Sequence, residues 1–337
     1  MDVTFTGDLT QVIPVEDTSQ IGQARRVALQ AATSAGFSEA DSGRVGIVAT
    51  ELATNVLRHG RGGEIHVAVV QGDGTRGVEV IAVDRGPGFN LIDCLPDGFS
   101  TGGTRGEGLG AVKRQAQVMD MYADHRGAVV LARMYPKGFG QADIRFGAVQ
   151  QAIQGETKCG DGWAVAFGGS VMSVMVVDGL GHGDAAHDAA VAATRGFSQS
   201  AMDEPTTLMA ELNNAMAGTR GGAVAVAHFD AATESLRYAG IGNISGALHT
   251  MEGSRGLASH PGIVGVQARR VQPFTFPQAT RKLLIMHSDG LQSRWNLRDY
   301  AGIVNRHPAV ITALLYRDFT RGRDDVTVFA IILDTRP

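Results

Sequence analysis

Val177-Asp178-Gly179-Leu180-Gly181-His182-Gly183 closes an apolar run, residues 171–177, in which only Ser173 is polar. Such a run reads as a buried strand, and it ends at an acid followed by glycines that let the main chain turn sharply. A carboxylate at a rigid strand tip, beside a glycine whose carbonyl is sterically open, suits a hard divalent cation. The pattern recurs on both sides. Upstream, Lys158-Cys159-Gly160-Asp161-Gly162-Trp163 puts an acid at the head of another apolar run. Downstream, the apolar residues 283–286 lead through His287-Ser288 to Asp289-Gly290, and Arg323-Asp324-Asp325-Val326-Thr327-Val328 enters the last strand. Each acid alone reads as a turn residue, because Asp-Gly is favoured in turns. If these strands are neighbours, the carboxylates converge at one sheet end and their repulsion calls for bound cations. His182 and His187 are expected in supporting roles, since carboxylate-rich sites for hard cations rarely use imidazole.

The chain has 337 residues, enough for two domains that each bury a core. Its 44% hydrophobic and 19% charged residues are those of a globular protein, and its 45 glycines favour tight turns and phosphate-cradling loops. A net charge of −4 without a Lys/Arg block argues against a nucleic-acid partner. Cys94 and Cys159 form no CxxC, so neither a disulfide framework nor a zinc site is indicated. Met1-Asp2-Val3-Thr4 does not begin a secretory leader, and no apolar run approaches a bilayer span. The expectation is a cytoplasmic protein with no membrane contact.

The first part mixes helix and strand. Residues 20–35 carry apolar side chains at helical spacing, Ser38-Glu39-Ala40-Asp41 resembles a cap region, and a second helix is expected over residues 42–57. Strands follow at residues 64–70 and 78–83, joined by a turn over 71–77, with further strands at 119–124 and 128–135. Pro136-Lys137-Gly138-Phe139-Gly140 is the natural boundary, after which a strand over residues 144–152 opens the second part. In the second helix Glu51 and Asn55 lie four apart, on one face. An amide oxygen suits Mg2+ and a neighbouring carboxylate can act as a base, although the pair alone fits a solvent-facing helix equally well. Then Val83-Asp84-Arg85-Gly86-Pro87-Gly88 puts an acid at a strand end before a glycine-proline-glycine turn. Next, Gly102-Gly103-Thr104-Arg105-Gly106-Glu107-Gly108-Leu109-Gly110 runs into a helix. A glycine-rich loop feeding a helix N-terminus offers free N–H groups to phosphates. Gly106 to Ala111 also fits a dinucleotide fingerprint, but that motif must follow a strand and residues 95–105 are a polar, glycine-rich loop. No P-loop motif is present. Only about 50 residues precede Asn55, too few for a dimerisation helix pair carrying a phospho-accepting histidine.

The ordered set Glu51-x-x-x-Asn55, Asp84-x-Gly86-x-Gly88 and Gly106-x-Gly108-Leu109-Gly110 resembles the N, G1 and G2 boxes of the GHKL ATPases, and within them the RsbT/RsbW type of anti-sigma serine kinase, over roughly residues 10–135. That resemblance implies ATP binding, with Mg2+ on Asn55, Glu51 as base or water-orienting group, Asp84 on the adenine amino group, and Gly106, Gly108, Leu109 and Gly110 around the phosphates. Residues 143–335 resemble the PPM-type metal-dependent serine/threonine phosphatases of the SpoIIE/RsbX branch. By that resemblance Asp178 bridges two Mn2+ or Mg2+ ions with the Gly179 carbonyl as a further ligand, Asp289 and Asp324 bind one ion, and Asp161 lies on the other side of the pair. The usual Gly-Gly-Asp-x-x-Asp start stands here as Cys159-Gly160-Asp161-Gly162-Trp163, without the second acid. The implied fold class is α+β in two domains. Residues 1–138 would form a GHKL (Bergerat) α/β sandwich, and residues 143–337 a PPM-type β-sandwich flanked by helices. The implied function is a partner-switching regulator whose kinase and phosphatase domains act on a STAS-domain antagonist, with a sigma factor or stressosome-like complex as a further partner. The alternative is an ATP-binding sensor that sequesters such a partner, with only the phosphatase active.

Overall fold

The computed structural model describes residues 3–89, 108–139, 143–266 and 271–334. Its contacts group Thr10–Arg145 with Asn305–Arg317 in an amino-terminal unit, and Met1–Leu9, Phe146–Val304 and Asp318–Pro337 in a carboxy-terminal unit. Two segments therefore leave the expected partition at residues 138/143. Strand β1 (Val3–Thr6) is one, because its main chain pairs with β8 (Asp161–Gly168). The stretch 305–317 is the other, for reasons given below.

In the amino-terminal unit, β2 (Gln11–Val15) leads to helix α1 (Thr18–Ser34). A capping box starts that helix: the Asp17 carboxylate accepts from the Ser19 N–H at 2.7 Å, and the Gln20 amide oxygen accepts from the Asp17 N–H at 2.9 Å. Helix α2 (Glu39–His59) begins three residues earlier than expected because the Ser38 hydroxyl accepts from the Asp41 N–H at 3.1 Å and so acts as its cap. Strands β3 (Gly63–Gly72) and β4 (Thr75–Asp84) are longer than expected. Their turn is only Asp73-Gly74, with Gly72 opposite Thr75 and Gly74 at φ +69, a conformation that favours glycine. Helix α3 (Gly108–Gln115), β5 (Val118–Asp124) and β6 (Gly127–Met134) follow, and the sheet order is β2-β3-β4-β6-β5.

One face of this sheet, including Ile65, Val67, Val80, Ala82 and Val130, packs on the apolar stripes of α1 and α2. Alternation along the strands puts His66, Glu79, Ile81, Leu131 and Arg133 on the opposite face, and these are buried as well. Helix α6 (Pro308–Phe319) meets that second face: the Tyr316 ring stands edge-on to His66 at 5.4 Å between centroids. The fully buried Arg133 guanidinium bonds Glu79 at 2.7 Å and Asp143 at 2.9 Å, and His307 reaches the same Asp143 carboxylate at 3.2 Å. His307, just before α6, thereby ties that helix to this sheet through Asp143.

The carboxy-terminal unit continues with β7 (Phe146–Gln151), β8, β9 (Val171–Gly179), helices α4 (Asp184–Ser200) and α5 (Pro205–Ala215), β10 (Gly222–Asp230), β11 (Ser235–Ile241), β12 (Ser245–His249), β13 (Ser254–Leu257), β14 (Phe274–Phe276), β15 (Leu283–His287) and β16 (Val326–Ile332). Among the described residues these form two antiparallel sheets, β1-β8-β9-β10-β11-β14 and β13-β12-β15-β16-β7. The sheets meet through aromatic rings. Trp163 of β8 lies 5.4 Å from Phe146 of β7 and 5.1 Å from Phe329 of β16. Helices α4 and α5 cover the other face of the first sheet, where Ala189, Ala193, Phe197 and Leu208 pack on Ala164, Ala166, Met175 and Val226.

Candidate functional site

The register of the carboxy-terminal unit decides where its acids stand. Asp161 opens β8 and Asp178 all but ends β9, and the antiparallel ladder sets these two residues directly opposite each other. In the second sheet, β15 ends at His287, so Ser288-Asp289-Gly290 leaves the sheet beside the point where Asp324-Asp325 enters β16. One hydroxyl links the two sheet ends. The Ser288 Oγ–H donates to Asp161 Oδ2 at 2.5 Å, while Ser288 Oγ accepts from the Thr327 N–H at 2.9 Å. The Gln150 side-chain amide donates to the Asp161 carbonyl at 2.9 Å.

Glycine is required here for close approach rather than for turning. A Cβ on Gly179 would lie 2.3 Å from the Ala186 carbonyl oxygen, and one on Gly290 would lie 2.0 Å from that of Asp325. The Asp-Gly pairs that read as turn signals are thus places where two main chains pack without room for a side chain.

Electrostatics set this cluster apart. Burial, then the charges of Asp289, Asp324 and Asp325, pushes the Asp178 carboxyl up to about 7. Burial and the facing Asp178 push the Asp161 carboxyl well above the usual range, against the opposing hydrogen bond from Ser288. Asp324 is raised by burial and then by Asp289 and Asp325, against the Asp325 N–H bond that favours its ionised form. Carboxyls held against their own charge mark a site that a cation would relieve. The doublet divides its labour: Asp325 accepts the Ile153 and Gly160 N–H groups at 2.7 Å each, one on each oxygen, whereas Asp324 accepts the neighbouring Asp325 N–H at 2.9 Å. Asp289 Oδ2 accepts from the Asn243 side chain at 2.8 Å. His187 bonds the Cys159 carbonyl and His182 bonds Glu156, each through Nδ1. The Cys159 thiol is driven strongly upward by burial and is no thiolate ligand.

Among the described residues, no three His, Cys, Asp or Glu side chains stand close enough to enclose an ion by themselves. The donor set is nonetheless all carboxylate and carbonyl oxygen. It fits small, hard divalent ions that keep several waters and take only one or two carboxylates each. Asp161, Asp178, Asp289, Asp324 and the Gly179 carbonyl are the groups available to them.

In the amino-terminal unit, Glu51 and Asn55 are half-buried on one face of α2. The start of α3 closes on them: a Cβ on Gly108 would stand 3.2 Å from Glu51 Oε2 and 3.4 Å from Asn55 Oδ1. Asp84, at the end of β4, accepts from the Gly86 N–H at 2.8 Å and the Ala128 N–H at 3.2 Å, both on Oδ1. Burial raises its pKa, opposed by those two bonds and by the charges of Arg317 and His59. Gly86 packs against the His59 carbonyl, and Gly88, at φ +68, against that of Asp124. Leu109 packs on the core, Gly108 and Gly110 lie in α3, and Gly106 lies outside the described residues. Sequence reasoning missed Ser288, Asn243 and Arg317. The Ser288-Asp289 adjacency was the one local signal for the first, and nothing local marks the other two.

Two family profiles match the chain: a histidine kinase-like ATPase domain over residues 14–134, and stage II sporulation protein E (SpoIIE) over residues 168–334. The serine/threonine-protein kinase RsbT of Bacillus subtilis (strain 168) is 37% identical over 92 residues, which cover 27% of this chain and 69% of that protein. A solved chain of the bacterial stressosome superposes with a TM-score of 0.52 at 26% identity, over 56% of this chain and 98% of its own. The phosphatase domain of B. subtilis SpoIIE with a fragment of its regulatory domain superposes with a TM-score of 0.50 over 96% of this chain and 97% of its own. At 16% identity that is a likeness of fold. Among the described residues, no helix is long and apolar enough to cross a membrane.

Proposed function

The chain belongs to the RsbT family of kinase-like ATPases and carries a SpoIIE-type, PP2C-like serine/threonine phosphatase domain, and from that premise we propose that it is a partner-switching regulator with two opposed activities. Its ATPase domain transfers phosphate from ATP to a serine or threonine of a STAS-domain antagonist in the cytoplasm, and its phosphatase domain removes phosphate from that protein or a relative in a stressosome-like complex.

The observation that carries the phosphatase reading is the set of acids whose charges oppose one another at the facing ends of two sheets. Asp161, Asp178, Asp289, Asp324 and the Gly179 carbonyl would hold the two divalent ions. Mg2+ or Mn2+ bound there supplies an activated water and positive charge for the phosphoryl oxygens. The residues themselves orient and exclude: Ser288 fixes the Asp161 carboxylate, Asn243 fixes Asp289, and Asp325 ties the β16 entrance to the Gly160 main chain. In the ATPase domain, Asn55 would hold the Mg2+ of the nucleotide, Glu51 would take the proton of the attacking hydroxyl or orient it, and the glycines 106, 108 and 110 would receive the phosphates at the α3 N-terminus. Asp84, with one oxygen anchored by two N–H groups, would accept from the adenine amino group.

The test is incubation of the chain with ATP, Mg2+ or Mn2+ and a purified STAS-domain protein. Phosphate incorporation rises in Asp178→Ala and vanishes in Asn55→Ala; no change in either variant refutes the reading.

A further inference from the structure

Arg317 lies in the sequence between Asp289 and Asp324, within the stretch matched by the SpoIIE profile, yet it groups with the amino-terminal unit. It is 5% exposed. Its guanidinium Nη1 donates to the main-chain carbonyl of Asp84 at 3.1 Å, and its own carbonyl accepts from the Arg85 guanidinium. Two consecutive residues at the end of β4 are thus clasped by one residue of α6. The helix is anchored at its other end too, where the Asp120 carboxylate takes the His307 N–H at 2.6 Å and the Arg306 guanidinium at 3.2 Å. Next to Arg317, Tyr316 stands against His66.

A buried guanidinium is held only where its charge and its N–H groups are answered. Here its charge favours the ionised forms of Asp84 and Asp124, so the cation and the β4 end stabilise each other. An acid accepts a hydrogen bond from an amino group with both oxygens only when ionised. Burial works against that at Asp84, and Arg317 works for it.

We propose that Arg317 is a positioning residue of the nucleotide site: from α6 it fixes the main chain of Asp84 and so keeps its carboxylate aimed at the amino group of the base. The proposal rests on the reading of Asp84 as the base-recognising acid. It means that the recognition of adenine depends on a side chain encoded about 180 residues beyond the ATPase profile.

The experiment is calorimetric titration of the full chain, in Mg2+, with ATP and with inosine triphosphate, whose base carries oxygen in place of the amino group. The wild type prefers ATP. In Arg317→Met that preference falls by roughly tenfold, the size expected when one charge-assisted hydrogen bond loses its alignment, and Arg317→Lys recovers part of it. Thermal melting of each variant shows that it is folded. A parallel loss of both affinities, with the ratio intact, makes Arg317 a purely structural residue and overturns the proposal; so does an unchanged ratio in Arg317→Met. A wild type with no preference for ATP overturns the reading of Asp84 itself, and that result is visible before any substitution is made.

Discussion

Asp178→Asn should stabilise the metal-free protein while abolishing its phosphatase activity. Burial and three neighbouring carboxylates push the Asp178 carboxyl up to about 7, from an ordinary value near 3.8. A group whose folded pKa is raised prefers its proton in the native state. Its contribution is fully present below the unfolded value and is lost as pH rises through the folded one. Between about pH 4 and pH 7 the ion-free carboxy-terminal unit therefore loses up to ~4 kcal/mol, taking about 1.36 kcal/mol for each pKa unit. The asparagine keeps the shape and drops the charge, so that loss disappears. Both tryptophans of the chain, Trp163 and Trp295, lie in this unit, so tryptophan fluorescence in urea follows it alone. At pH 8 with a chelator, Asp178→Asn unfolds at higher urea than the wild type, by about 2–4 kcal/mol, and the difference fades toward pH 4. Saturating Mn2+ reverses the order, since only the wild type gains stability from binding it. A variant no more stable than the wild type at pH 8 in chelator, or a gap that does not shrink with acid, refutes the repulsion argument.

Three further outcomes follow from the same geometry. Ser288→Ala removes the bond to Asp161 and leaves the buried Thr327 N–H without its acceptor; it costs about 1–3 kcal/mol in the same urea assay and weakens Mn2+ binding, whereas Ser288→Thr keeps both bonds. Arg133→Met leaves Glu79 and Asp143 buried without their cation, so the amino-terminal unit loses about 3–5 kcal/mol, read as faster amide exchange in β4 and β6, and unaltered exchange would contradict the pairing. The His307 imidazole is held down by burial and the Asp143 carboxyl is held low because its bond to His307 and the charge of Arg133 outweigh its burial; both groups take up fewer protons folded than unfolded, so amide protection in this unit should fall as pH drops below about 6.5, and protection that rises instead would reverse the sign of the argument.

What the sequence discloses and what it hides differ by range of interaction. The strand-end acids were legible because a strand and its terminal Asp-Gly are consecutive residues, and so were the helices, because the Ser38 cap precedes the helix it caps. Even there local sequence falls short: polar residues in the flanking strands suggest a seven-residue turn where the chain makes the two-residue turn Asp73-Gly74. The register that sets Asp161 against Asp178 spans a hairpin and could be expected. The bond from Ser288 to Asp161 joins residues 127 apart in sequence, and nothing in either neighbourhood asks for it. The resemblance gives an ion to Asp324, and the two backbone bonds of Asp325 supply a physical reason why that neighbour is otherwise engaged, one that only the folded chain shows. The largest gap concerns α6. Its apolar residues read as an ordinary core helix of the domain that surrounds it in sequence. The polar anchors that assign it elsewhere are Arg306 and His307 at one end and Arg317 at the other, single charged residues that the sequence presents as unremarkable. Their partners are Asp120, Asp143 and the Asp84 carbonyl, which lie 160 to 240 residues earlier and two of which are side chains with no motif of their own. A helix apolar on every face must be covered on every face, so its composition says that it is buried and is silent about which sheet it completes. The polar anchors settle that question: Arg306 and His307 bond Asp120 and Asp143, and Arg317 bonds the Asp84 carbonyl. The assignment of α6 accordingly follows long-range polar bonds, while the boundary in sequence is marked by glycine and proline.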